Sequence, residues 1–155
     1  MIKKKYFSLI LILLITFSAS GIGSFSVSYF KEPWYSEIIL PSFNPPSWVF
    51  GPVWTTLYVF MSIAIWSAWR KSSNKKLLWI YFIHLFFNAI WSVIFFGFHK
   101  IGLALIDLII ILAFIFLLMK IYFKTNRISF YLTLPYFLWS SYALILNTSI
   151  LILNA

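Results

Sequence analysis

Five apolar runs of about 20 residues, separated by short polar or basic clusters, constrain this chain more than any other feature; they cover about residues 6–27, 48–69, 77–98, 101–121 and 128–153. A helix rises 1.5 Å per residue, so a run of about 20 crosses a hydrocarbon layer of about 30 Å. Backbone groups in lipid must be satisfied within their own segment, which makes each run a helix. The expectation is an all-α integral membrane protein, a five-transmembrane-helix bundle forming a single domain over residues 1–155. With 63% hydrophobic and 10% charged residues, the chain has too few polar groups to coat a soluble globule.

Charge carries topology. Lys3, Lys4 and Lys5 precede the first run, Arg70, Lys71, Lys75 and Lys76 lie between the second and third, and Lys120, Lys124 and Arg127 lie between the fourth and fifth. These ten share one side, leaving Lys31 and Lys100 for the other, so the positive-inside rule puts the N-terminus in the cytoplasm and the C-terminus outside. A net charge of +9 distributed this way describes membrane orientation, and no nucleic-acid partner is expected. A bacterial inner membrane is the expected location. The chain has no cysteine, and two histidines with three acids are too few for a convincing all-protein metal site.

The N-terminus admits a second reading. Lys3 to Lys5, the apolar run from Phe7 to Phe17 and the small residues Ser18 to Gly21 also match a secretory signal peptide. Apolar character continues through Ile22, Phe25 and Val27, which favours a retained first helix. Gly21 and Gly23, among the serines from Ser18 to Ser28, would let a neighbouring helix or a ligand approach closely.

Residues 28–47 form the long connection. Five of the six prolines fall between Pro33 and Pro52, and three of the eight tryptophans between Trp34 and Trp54. Proline fixes φ and removes a donor, so this stretch is stiff without being regular. It reads as an aromatic lid over a pocket. Lys31, Glu32 and Glu37 read as its solvated surface, and Trp34 and Tyr35 as either interfacial belt residues or pocket wall.

Within the runs, the second helix should start near Pro46 or Ser47, with Pro52 either bending it or marking its true start. Trp54, Tyr58, Met61 and Ile65 share a face that could serve packing or a ligand. On the third helix His84, Asn88, Trp91 with Ser92 and Phe95 share another, which must turn into the bundle because unpartnered polar groups in hydrocarbon are costly. His84 reads as a hydrogen-bonding residue rather than an iron ligand, and His99 as solvated. Asp107, the one acid within a run, should pair with a neighbour such as Asn88, Trp91 or Ser92. Pro135 predicts a local disturbance near Tyr131, and Ala143, one turn beyond Trp139, leaves a slot beside that ring. A cavity lined by Trp54, Tyr58, Trp91, Phe95, Trp139 and Ala143, with Asn88, Asn147 and possible help from His84, suits a large, flat, amphipathic molecule. Porphyrin, sterol, hopanoid and other lipids remain open on chemistry alone.

Three ordered motifs narrow that choice. Trp34-Tyr35, Leu40-Pro41 and Phe43-Asn44-Pro45-Pro46 through Trp54, Thr55 and Tyr58 come first; Asn88-Ala89-Ile90-Trp91-Ser92 with Phe95-Phe96 and Leu134 to Trp139 with Ala143 and Asn147 come after them. Together they resemble the TspO/MBR family of bacterial tryptophan-rich sensory proteins and the mitochondrial translocator protein, over nearly the whole chain. The resemblance implies a pocket between five helices, closed by the first loop, that binds tetrapyrroles such as protoporphyrin IX, and also sterols and synthetic isoquinoline or benzodiazepine ligands. It implies a homodimer. Trp34, Tyr35, Pro45, Phe50, Trp54, Tyr58, Asn88, Trp91, Trp139 and Ala143 occupy the positions it assigns to the ligand, although some members carry another aromatic at Trp91.

The same resemblance puts a sterol motif of the animal members at the end of the fifth helix, where Asn147 to Ala155 contain no Tyr, Lys or Arg. The loose pattern of Leu118, Tyr122 and Lys124 carries little weight. Three functions are then expected in order: a binding and sensory or regulatory membrane protein for porphyrins, with no required cofactor; a transporter of tetrapyrroles or sterol-like lipids; and light-dependent porphyrin breakdown. No acid, base or nucleophile constellation supports conventional catalysis.

Overall fold

The computed structural model describes residues 2–155, with side chains from Tyr6 onward, so the side chains of Lys3, Lys4 and Lys5 lie outside the described residues. Five long helices form: α1 (Ile2–Phe30), α3 (Ser47–Ser72), α4 (Lys75–Ser92), α5 (Ile101–Thr125) and α6 (Arg127–Leu153). All five are long and apolar enough to cross a membrane. The fold is an all-α, multi-pass membrane bundle.

α1, α3 and α5 outlast their apolar runs because helix propagation does not stop where hydrophobicity does, whereas α4 ends at Ser92, short of its run. Arg70 and Lys71 extend α3 and Lys124 extends α5, where cations suit the negative end of the helix dipole. Asparagines then end and restart the chain. After Ser73, in a left-handed conformation at φ 52°, Asn74 accepts from the Lys76 N–H at 3.0 Å and opens α4. Asn126 accepts from the Ile128 N–H at 3.3 Å to open α6, and its Nδ2 donates to Ser67 Oγ at 2.7 Å. The connections on this face are thereby one or two residues long.

The core is built where small residues let the helices meet. Ala64, Ala68 and Ala104 are fully buried and let helices approach closely, around Ile65, Leu77, Ile111 and Ile115. Outward-facing Phe7, Leu14, Trp79, Phe86, Ile106, Phe116 and Leu138 form the apolar exterior that lipid covers. A polar seam crosses the centre. Tyr58 Oη donates to Asn88 Oδ1 at 2.7 Å, and Asn88 Nδ2 donates to Tyr136 Oη at 2.8 Å, which also meets His84 Nε2 at 2.8 Å. His84 is thus a hydrogen-bonding residue of the seam.

Several expectations need correction. Pro52 does not mark the start of α3, which begins at Ser47 as expected, and Pro135 lies inside α6, also as expected. Gly23 does bring elements together, since an added Cβ would stand 3.3 Å from Ser92 Oγ, but Gly21 faces open space. Asp107 is buried, yet its Oδ2 has no hydrogen-bond partner among the described residues. None of the expected partners, Asn88, Trp91 or Ser92, bonds to it; the Asn88 amide bonds to Tyr58 and Tyr136 instead.

The end of α4 also departs from a plain helix. Val93–Gly97 form a π-helical turn, with Phe98 N–H bonding to Val93 O at 2.9 Å. The wider turn shifts the angular position of the residues within and beyond it, and such turns occur at many functional sites. It brings Phe95 under Trp91 in a stack with centroids 5.1 Å apart, and sets Phe96 edge-on to both.

Candidate functional site

Above the polar seam, at the end of the bundle that carries the long connection, the helices part around a cavity of about 410 Å³. Its lid contains one short helical turn, α2 (Trp34–Glu37), where the sequence suggests irregular loop. Local bonds stiffen the rest. Asn44 N–H closes a turn on Pro41 O at 2.9 Å, and Tyr35 Oη donates to Asn44 Oδ1 at 3.3 Å. Burial pushes the Tyr35 phenol above its ordinary range, and the bond to Asn44 opposes that.

Eight of the ten residues assigned from sequence line the cavity: Tyr35 from the lid, Phe50, Trp54 and Tyr58 from α3, Asn88 and Trp91 from α4, and Trp139 and Ala143 from α6. Helical spacing explains their convergence, since Trp54 and Tyr58 are four apart and Asn88 and Trp91 three apart. Two ring pairs contribute to the lining. Phe50 meets Trp139 edge to face at 5.9 Å, and Trp54 lies over Tyr58 at 5.5 Å.

Trp34 and Pro45 are not in the lining. Trp34 instead stacks on His99 at 4.4 Å with an interplanar angle of 14° and meets Phe95 edge-on at 5.4 Å. It fastens the lid to the turn after α4. His99, exposed as expected, is also its platform, with Nε2 3.4 Å from Phe30 O.

Other lining residues were not assigned as ligand positions. Leu108 and Ile111 of α5 form the back wall, and Tyr142 of α6 donates to Phe43 O of the lid at 2.6 Å. Ser20, Gly23, Ser24 and Ser28 of α1 line the front. Lower down, α1 closes on α3 through Phe17 against Tyr58 at 5.9 Å and Trp66 Nε1 donating to Ser8 Oγ at 3.1 Å. Towards the lid, exposed Ser24 and Ser28 of α1 and exposed Gly51 and Thr55 of α3 all line the cavity. Lys31, expected on the solvated surface, is half-buried and lines the cavity as well.

Two buried polar atoms of the lining have no partner among the described residues: the donor Trp91 Nε1 and the acceptor Asn147 Oδ1. The other end of the Asn147 amide is held, with Nδ2 donating to Ile101 O at 3.1 Å. The rings of the lining offer stacking area to a bound molecule, and its serine and threonine hydroxyls offer a few polar groups. No carboxylate or histidine lines the cavity, and no group of three metal-ligating side chains occurs among the described residues.

Comparison with known proteins agrees with this architecture. Residues 9–153 match the model of the TspO/MBR family. The chain is 35% identical over 136 residues to the tryptophan-rich protein TspO of Archaeoglobus fulgidus, covering 86% of this chain and 88% of that one. It is 32% identical over 123 residues to the tryptophan-rich sensory protein of Cereibacter sphaeroides, covering 79% and 78%. Against the human translocator protein it is 32% identical over 138 residues, covering 83% and 82%. With five membrane-length helices and an aromatic cavity beneath a proline-stiffened lid, the chain belongs to the TspO/MBR family.

Proposed function

We propose that the cavity binds a flat, amphipathic tetrapyrrole such as protoporphyrin IX or a haem-like relative, and that the chain acts as a binding and sensory or regulatory protein of a bacterial inner membrane. The observation that carries this reading is the set of ring pairs, Phe50 with Trp139 and Trp54 with Tyr58, that line one cavity. Extended aromatic walls favour planar ligands by stacking and area burial. Relatives named as sensory and translocator proteins support a role in handling small hydrophobic ligands within the bilayer. Sterols and hopanoids, also flat and apolar, are the nearest competitors for the same space, and a homodimer with the N-terminus cytoplasmic is the assembly proposed.

The test is quenching of tryptophan fluorescence on titrating protoporphyrin IX into detergent-purified protein, wild type against Trp54→Ala and Trp139→Ala. Saturable quenching that weakens in both variants, with helical content kept, supports the reading. Non-saturating quenching indifferent to both substitutions overturns it. Vectorial uptake into proteoliposomes would make the protein a transporter, and light-dependent product formation would make it a porphyrin-degrading one.

A further inference from the structure

We propose that the lid end of the cavity is a carboxylate subsite built on Lys31, so that the natural occupant is a flat amphipathic acid whose anionic group rests at the mouth while its rings fill the aromatic interior. The proposal deepens the ligand reading above and shares its cavity, but it rests on different atoms.

Lys31 is the one charged side chain among the described residues that line the cavity. Nothing acidic in the lining opposes it. Its backbone continues the last turn of α1, with the Lys31 N–H on Val27 O at 3.3 Å, so the side chain sits just past the end of the membrane-length run that finishes at Phe30. A carboxylate held there keeps contact with interfacial water and need not enter the hydrocarbon, where a charge is costly. The apolar remainder can then occupy the bilayer-depth cavity.

The ammonium is positioned rather than free. Nζ stands 5.0 Å from the centroid of Tyr35, a lining residue itself anchored to Asn44, and 3.5 Å from Glu32 Oε1. An ammonium has three donors, so these two neighbours leave room for a third. Glu32 is its weaker claim. That carboxylate is exposed, adjacent in sequence, and already accepts the Ser36 hydroxyl, and exposed ion pairs of this kind are worth little. A ligand carboxylate can share or displace it.

The helix face below Lys31 extends the site. Ser28 and Ser24 lie three and seven residues before it, on the same side of α1, and both line the mouth. Ser18 and Ser26 return their hydroxyls to the backbone of α1, whereas the hydroxyls of Ser24 and Ser28 make no hydrogen bond among the described residues. Ser28, one turn from Lys31, can donate to a second oxygen of the same acid group, and Ser24 extends the polar edge below it.

The test compares acids with their own esters, in full-length protein reconstituted in nanodiscs. Protoporphyrin IX is set against its dimethyl ester, and pyrenebutyric acid against its methyl ester, with wild type, Lys31→Gln and Lys31→Arg. Wild type should prefer each acid, Lys31→Gln should weaken the acids about tenfold and the esters less than twofold, and Lys31→Arg should keep the preference. Equal binding of acid and ester by wild type, or an acid preference unchanged in Lys31→Gln or lost in Lys31→Arg, overturns the proposal. Should protoporphyrin IX fail to bind in either form while pyrenebutyrate shows the Lys31-dependent preference, the tetrapyrrole reading falls and the acid subsite stands. If neither acid binds, the subsite falls too.

Discussion

The side-chain amide of Asn154 grips the backbone of Ile39 from both sides: the Ile39 N–H donates to Oδ1 at 2.8 Å, and Nδ2 donates to Ile39 O at 2.9 Å. One residue at the end of α6 thus holds the middle of the lid, 115 positions earlier in the chain. Together with Tyr142 Oη on Phe43 O at 2.6 Å, it ties the stiff proline segment to the last helix. Asn154→Ala removes both backbone partners from an exposed site where water can replace them, so global stability should change by only about 1 kcal/mol. Local opening should change more. Backbone amides around residues 38–44 should exchange faster with deuterium, while those of the Tyr58 and Asn88 seam should not.

Trp34 is expected to act through closure rather than contact. Its ring stacks on His99 and touches Phe95 from outside the cavity lining. Trp34→Ala should therefore speed both entry and escape of a bound porphyrin, with a larger change in rates than in affinity. Trp139→Ala, which removes a cavity wall, should mainly raise the dissociation rate and weaken affinity. Stopped-flow quenching separates the two. Identical kinetic signatures would place Trp34 against the ligand after all.

The polar seam makes a third prediction. Tyr136 Oη receives Asn88 Nδ2 and meets His84 Nε2, both at 2.8 Å, in a site closed to solvent. Tyr136→Phe keeps the ring but strands both partners, and a buried unsatisfied group costs about 1–3 kcal/mol. Thermal unfolding in detergent should show a loss of that order. Asn88→Ala leaves the Tyr58 hydroxyl unpaired and opens a void, so its loss should equal or exceed that of Tyr136→Phe. A neutral result for both would mean that water already reaches the seam.

Much of this was legible in the sequence because lipid imposes a simple length rule. The five spans and the face containing Trp54, Tyr58, Asn88, Trp91, Trp139 and Ala143 came from apolar runs, helical spacing and motif resemblance. What escaped was set by tertiary geometry. No local pattern announces the π-helical turn at Val93–Gly97, since its residues are as apolar as those of any span. The burial of Lys31 depends on where α1 ends relative to the lid, which hydropathy does not record. His99 is an exposed turn residue, as its sequence context suggests, but its platform role exists only once Trp34 arrives from a distant segment of the chain. Depth alone places Asn88, Trp91 and Ser92 near Asp107, and depth does not record side-chain direction, which leaves Asp107 Oδ2 without a partner among the described residues.

Glu32 supplies the last prediction, which rests on the acid subsite at Lys31. The Ser36 hydroxyl bonded to the Glu32 carboxylate, helped by the Lys31 charge, holds that carboxyl below its ordinary range. A lowered value means that Glu32 is ionised throughout the neutral region, and that its contribution to lid order is present above the ordinary carboxylate range and lost as pH falls through its own lower one. At neutral pH it therefore competes with a ligand acid for the same ammonium. Glu32→Gln removes the competitor and leaves Lys31 over Tyr35. Affinity for protoporphyrin IX should rise about two- to fivefold, the range that exposed ion pairs allow, and affinity for its dimethyl ester should stay the same. The gain should be flat between about pH 6 and pH 8, because neither Glu32 nor a ligand carboxylate titrates there. A gain for the ester as large as for the acid would trace the effect to a loosened lid, and the Lys31 subsite would lose its support.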